Sequence, residues 1–259
     1  MNIPFSKYHG TGNDFVLIDN RNNQYHLSRQ QIEKLCHRRF GIGADGLMLL
    51  ENEQGFDFKM RYFNSDGREG SMCGNGGRCI VMFAHDLGIV KQDCRFLAID
   101  GAHDASIELN GSVRLKMKDV LNFEVHTSFD FVDTGSPHVV KQVSDIEHYN
   151  VVEEGKAIRN SNKYQKEGVN VNFVQVLNDS RIYVRTYERG VEDETYSCGT
   201  GVTASALVHA HNERGFNHVE VETNGGILYV EYERTGERSF ENIWLAGPAV
   251  NVFEGTALL

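Results

Sequence analysis

Alternation of apolar and polar residues marks several strands. In "FDFKMRYF", Phe56, Phe58, Met60 and Tyr62 alternate with Asp57, Lys59 and Arg61, the pattern of a strand with one covered and one wetter face. "SVRLKMK" repeats it with Val113, Leu115 and Met117, "RIYVRTY" with Ile182, Val184 and Thr186, and "GGILYVEYE" closes the series. Helical periods are fewer. "SRQQIEKLCHRRF" begins at Ser28, whose hydroxyl can cap a helix. The other helices are expected over residues 77–87 and over "GVTASALVHAHNERG", residues 201–215. Strands outnumber helices, and the helices do not alternate with them as a doubly wound fold requires.

A longer pattern occurs twice. "FNSDGREGSMCGNGGRCIVMFAHDLG" reads as strand, acidic loop, Cys-Gly-polar-Gly, helix, Gly, and "YERGVEDETYSCGTGVTASALVHAHNERG" reads the same way. An echo of this length predicts a duplicated protein of two domains, with a boundary near residue 120 in "KMKDVLNFEVHT".

A chain of 259 residues, 40% apolar and 24% charged, buries enough surface to stand without crosslinks. Its five cysteines, Cys36, Cys73, Cys79, Cys94 and Cys198, are therefore read as thiols in a reducing compartment. Cys73 and Cys79 have no matching Cys/His pair downstream, so no metal is expected. The formal charge of −10 argues against a nucleic-acid or anionic-membrane partner. The start, "MNIPFSKYHG", lacks a basic segment followed by an apolar one, and no run approaches a membrane span. The expected location is cytoplasmic.

The candidate chemistry lies at Cys73 and Cys198. The first turn of a helix has backbone N–H groups without internal partners, and glycines there permit a sharp turn and close approach of a ligand. A carboxylate suits that position, and a cysteine at the cap faces a field that favours its thiolate. A lone cysteine of this kind is ordinarily a small buried hydrophobe. Two in matching contexts point elsewhere: with the halves packed face to face, one thiol on each side of a bound acid removes an α-proton from one face and returns one to the other. Asn13, Asn64, Asn170, Asn172, Glu188 and Arg189 lie near these segments, and an arginine offers a two-pronged grip on a second carboxylate.

"KYHGTGNDFVLID", "RRFGIGADGLMLL", "RYFNSDGREGSMCGNGGRCI", "GSPHVV", "EGVNVNFVQV" and "TYERGVEDETYSCGTGVTA" together resemble the diaminopimelate epimerase family, in the family's order and over nearly the whole chain. The resemblance implies an α/β (α+β) protein of two similar domains related by a pseudo-twofold, each a β-sheet wrapped around a central helix. They would be residues 1–120, carrying Cys73 and completed by 248–259, and residues 121–247, carrying Cys198. It implies cofactor-independent epimerisation of L,L-2,6-diaminopimelate to meso-diaminopimelate in lysine and peptidoglycan-precursor biosynthesis. It also implies a homodimer with a small-molecule substrate, no cofactor and no metal.

Carried over by resemblance, the catalytic thiols are Cys73 and Cys198. The α-carboxylate contacts are Gly74 and Asn75 with Gly199 and Thr200. Asn13, Asn64, Asn170, Glu188 and Arg189 bind the substrate, and His138 and Glu188 tune the thiols. Three positions depart from the family pattern: Gly46 stands for a Gln, Ser136 for an Asn, and the loop after Arg189 carries one more residue. Two other readings compete. A proline or hydroxyproline racemase of the same architecture would have no use for Arg189 and the Asn set, and a nonenzymatic carboxylate receptor would have none for the thiols.

Overall fold

The computed structural model describes residues 1–70, 72–209 and 213–259. Contacts divide the chain into two units, Met1–Leu115 with Gly247–Leu259, and Lys116–Ala246. The first contains β1 (Asn2–Gly10), β2 (Asn13–Asp19), α1 (Arg29–Cys36), β3 (Gly46–Glu51), β4 (Phe58–Asn64), α2 (Gly74–Asp86), β5 (Asp93–Ala98), β6 (Gly101–Ile107) and β7 (Val113–Lys116), whose last residue opens the second unit. It also takes in the last strand of the chain, β17 (Val250–Leu258). The strand order is β17-β1-β2-β3-β4-β5-β6-β7, antiparallel except at β2–β3 and β4–β5. A parallel step requires a crossover, and α1 and α2 lie in those two.

The second unit contains β8 (Glu124–Val125), β9 (Asp130–Asp133), β10 (Pro137–Gln142), α3 (Val151–Arg159), β11 (Asn170–Asn178), β12 (Arg181–Glu188), β13 (Asp193–Thr195), α4 (Gly199–His209), β14 (Gly215–Thr223), β15 (Gly226–Arg234) and β16 (Phe240–Gly247), whose last residue returns to the first unit. Its order is β8-β9-β10-β11-β12-β14-β15-β16, with β13 folded back on β12. The parallel steps β10–β11 and β12–β14 are crossed by α3 and α4. Antiparallel and parallel steps thus follow one another in the same sequence in both units, which is the duplication at the level of topology.

Each unit has one helix on either face of its sheet. Val16, Ile18, Leu47, Leu49 and Phe63 pack with Ile32 and Leu35 of α1. The alternate residues Phe15 and Met48 meet the first turn of α2 at Gly76. In the second unit Val139, Val171, Phe173 and Tyr187 pack with Val151 of α3, and His138 and Asn172 meet Gly201 of α4. Helices α2 and α4 are buried round most of their circumference, as befits helices enclosed by a curved sheet.

The helix expected from Ser28 has a complete capping box: Gln31 N donates to Ser28 Oγ and Ser28 N to Gln31 Oε1. It ends at Cys36 rather than Phe40, because His37 turns extended and its Nδ1 accepts from the N–H groups of Arg39 and Phe40. The helix expected over 77–87 starts at Gly74. The one expected over 201–215 starts at Gly199; residues 210–212 lie outside the described residues, and Gly215 already belongs to β14.

Candidate active site

Cys73 is the N-cap residue of α2, with extended backbone (φ −108°, ψ 129°) and no side-chain cap hydrogen bond. The helix ladder begins with Gly77 N donating to Cys73 O at 2.7 Å. The N–H groups of Gly74, Asn75 and Gly76 therefore precede the ladder and form a nest beside the half-buried sulfur. Cys73 Sγ donates to Asn13 Oδ1 (3.5 Å), and the same oxygen accepts from Asn75 Nδ2 (3.4 Å). Asn13 Nδ2 donates to Asp45 Oδ2 at 2.7 Å. A carboxylate only accepts, so Asp45 decides which end of the Asn13 amide faces the sulfur.

Asp45 is in turn held by Arg38 (2.7 Å), which also reaches Asp14 (2.8 Å), where Lys7 donates at 2.7 Å. Burial opposes ionisation of Asp14, but hydrogen bonds from Arg38 and Lys7 outweigh it and bring its carboxyl down to about 2.

The second cysteine stands at the matching point. Val202 N donates to Cys198 O (2.8 Å), leaving the N–H groups of Gly199, Thr200 and Gly201 ahead of the ladder of α4. Cys198 Sγ lies 3.5 Å from Thr200 Oγ1, and Thr134 Oγ1 donates to Thr200 O at 2.8 Å, tying the turn to the strand side. An added Cβ on Gly201 would collide with Asn172 Oδ1, and one on Gly76 with the terminal methyl of Met48. The second glycine of each Cys-Gly-x-Gly thus seats the helix against its sheet. This differs from the roles expected of them in the sequence, ligand approach and a sharp turn.

Beneath this turn His138 is fully buried, and its pKa is pushed down to about 3, by burial first and by the Arg189 guanidinium second. Asn172 Nδ2 donates to Val139 O (3.1 Å) and to His138 Nδ1 (3.0 Å), while Asn172 Oδ1 accepts from Thr186 Oγ1 (2.9 Å). A carbonyl can only accept, so the amide orientation is fixed and the proton of the neutral imidazole sits on Nε2. That nitrogen has no partner among the described residues.

Asn170, Arg189 and Ser136 form one group. Asn170 Oδ1 accepts from Arg189 N (2.9 Å), Asn170 Nδ2 donates to Ser136 Oγ (3.0 Å), and Arg189 Nη2 reaches the same hydroxyl (3.4 Å). Ser136 therefore joins the group directly. The longer loop after Arg189 closes as a tight turn with Gly190 (φ 92°) and Glu192 (φ 59°) in the left-handed region. Glu192 is anchored there by Tyr187 OH (3.1 Å), Gly190 N (3.1 Å) and Arg159 (3.3 Å).

Glu188 accepts from Thr195 Oγ1 at 3.0 Å. Its counterpart by register is Asn64, exposed at the end of β4: Gly46 pairs with Asn64, and Asn170, next to the Val171–Tyr187 pair, stands opposite Glu188. Gly46 thus occupies the place of Asn170. A Cβ there would run into the Tyr62 ring and Phe63 O, so Tyr62 takes the space of a longer residue.

Cys36, Cys79 and Cys94 are buried, and burial pushes each thiol up to about 12. Among the described residues, no three His, Cys, Asp or Glu side chains are grouped to hold a metal ion. Two residues of the two half-sites, Asp45 and Arg78, are not among the candidates the sequence offers, and Asn172, which is, turns out to orient His138. Arg78 carried a signal, being the one charge in "GGRCIVMFA".

The fold defines a class of two-unit α/β proteins. A Bacillus anthracis phenazine biosynthesis protein of the PhzF family superposes with a TM-score of 0.78 at 15% identity, covering 100% of both chains. A hydroxyproline epimerase from Agrobacterium vitis gives 0.70 at 14%, covering 100% of this chain and 93% of that one. Within that class the family model described as diaminopimelate epimerase matches residues 5–121 and 131–252. Curated diaminopimelate epimerases from Flavobacterium psychrophilum and Chlorobaculum tepidum are 49% and 41% identical, each over 96% of this chain and over 98% and 99% of their own lengths. The chain belongs to the diaminopimelate epimerase family, whose members interconvert the L,L and meso forms of diaminopimelate in lysine biosynthesis.

Proposed function

We propose that the chain interconverts L,L-2,6-diaminopimelate and meso-diaminopimelate, with Cys73 and Cys198 as the acid/base pair, for lysine and peptidoglycan-precursor biosynthesis. The observation that carries this reading is the matched construction of the two half-sites: a cysteine, then N–H groups ahead of the helix ladder, in topologically equivalent positions. One thiolate takes the α-hydrogen as a proton and becomes a thiol. The electron pair left on carbon spreads into the α-carboxylate, whose oxygens the nests at Gly74 and Asn75 and at Gly199 and Thr200 stabilise. The other thiol gives its proton to the opposite face and becomes the thiolate. No proton or electron is consumed, and pyridoxal phosphate and metal have no step to perform.

Asn13, Asn64, Asn170, Glu188 and Arg189 bind and orient the substrate, with Arg189 suited to the distal carboxylate. Neutral His138 carries on Nε2 a proton with no partner among the described residues, a donor that a thiolate brought within reach would use, and Glu188 as an acceptor favours a thiol. The protein works in the cytoplasm, without nucleic-acid or membrane partners. Supporting this are the charge of −10 and, among the described residues, the lack of any helix long and apolar enough to cross a membrane. It works as a homodimer, a reading supported by exposed Val252, Phe253 and Leu258 on the edge strand β17.

The test is turnover of L,L-diaminopimelate in heavy water, after chelation and without pyridoxal phosphate. Product at low conversion should carry deuterium while remaining substrate stays unlabelled, from either epimer. Cys73→Ala and Cys198→Ala should each nearly abolish inversion. Original hydrogen retained in product, or near-normal inversion by either variant, overturns the two-thiol mechanism.

A further inference from the structure

Arg78 is fully buried in the second turn of α2, five residues after Cys73. Its Nη2 donates to Asn75 Oδ1 (2.9 Å) and to Thr11 Oγ1 (3.5 Å), its Nη1 to Gly74 O (3.3 Å), and its Nε has no partner. No carboxylate among the described residues lies within ion-pair distance of it. Gly10 makes the room: a Cβ there would stand 3.1 Å from Nη2.

A guanidinium stays charged at any working pH, and a buried charge without a counterion is strongly unfavourable. Its place near the positive end of a helix adds to the cost. The two negative charges that would balance it are those the proposed chemistry brings to the first turn of α2, the Cys73 thiolate and the substrate carboxylate.

The geometry points to Arg78 as the positioning residue of the Cys73 half-site: it fixes the Asn75 amide beside the nest and supplies the buried positive charge that an anion at this turn balances. The inference rests on the reading of Cys73 as an acid/base group. Orientation follows from donor and acceptor chemistry. Arg78 only donates, so Asn75 turns its oxygen inward and its Nδ2 toward Asn13 Oδ1, the oxygen that also accepts from Cys73. Burial lowers the pKa of the guanidinium, with the neighbouring Cys79 and Cys73 acting in the opposite sense. That is the mutual stabilisation a cation and a thiolate would show.

The experiment measures the rate of Cys73 alkylation by iodoacetamide against pH, in a Cys198→Ser background, with the site confirmed by peptide mapping. Arg78→Met and Arg78→Gln should each move the midpoint upward by about one pH unit or more. Arg78→Lys, which keeps the charge, should stay close to the parent. Melting curves identify which variants fold, since removing the unpaired charge and removing the donor to three buried acceptors act in opposite directions. An unchanged midpoint in either folded neutral variant, or an equal shift in the Lys variant, overturns the proposal. Failure of the functional reading would appear separately, as epimerase activity in Cys73→Ala.

Discussion

His138 must enter the folded protein neutral: it titrates near 3 there, against about 6.5 in an unfolded chain. Between those values the unfolded state binds a proton that the native state refuses. Stability from this group is therefore complete above pH 6.5 and falls as pH drops toward 3, by about 1.4 kcal/mol per unit within the window. Denaturant melts of the wild type and His138→Gln at pH 7, 5.5 and 4 should show the difference between them narrowing or reversing as pH falls. A constant difference would show that His138 does not set that slope. The two cysteines and their glycines were legible in the sequence because their context is local. Asp45 was not, nor was the pairing of Asn172 with His138, since those partners lie across the sheet, 32 residues away for Asn13 and Asp45 and 34 for His138 and Asn172. Gly76 and Gly201 were legible as glycines, but their packing role follows from Met48 and Asn172. Gly201→Ala should thus cost about 1–3 kcal/mol, and Gly76→Ala less, because the end of Met48 can swing aside. Urea melts of the two variants check the order.

At the scale of elements, the period-2 segments became β4, β7, β12 and β15, while β2 and β3 went unread. "FVLID" and "GLMLL" are covered on both faces, so nothing alternates along them. Helix α3 was missed as well: it is short, and Gly155 interrupts its pattern because Tyr187 packs where a side chain would stand. The cap at Ser28 was readable, since its capping box closes within three residues. Ser28→Ala should cost about 1 kcal/mol and leave the kinetic constants of the enzyme unchanged, because α1 packs on the face of the sheet away from α2. A fall in kcat without a fall in stability would place Ser28 in the catalytic machinery instead.

For the whole molecule, the repeated strand, acidic loop, cysteine turn and helix were enough to expect duplication, and the identical run of strand directions in the two units accounts for why the echo exists. The sequence pattern could not give strand order, which depends on contacts between distant residues. The closing of the first sheet by β17 has a consequence for how the protein is made. Its partner β1 leaves the ribosome well before β17, the stretch between Gly10 and Val250 taking roughly 10–50 s to synthesise at common rates. The second unit is continuous, Lys116–Ala246, and can finish while the first still has an open edge at β1. A nascent chain arrested after residue 246 and clear of the exit tunnel should resist protease within the second unit and be cut in β1 or β2. Release of the full-length chain should remove those cuts. Equal protection of β1 in the arrested chain would show that the first sheet needs no closing strand. On the expected result, β1 is translated long before it is secured, and the interval between is when this protein is most exposed to chaperones and to its own unfinished neighbours.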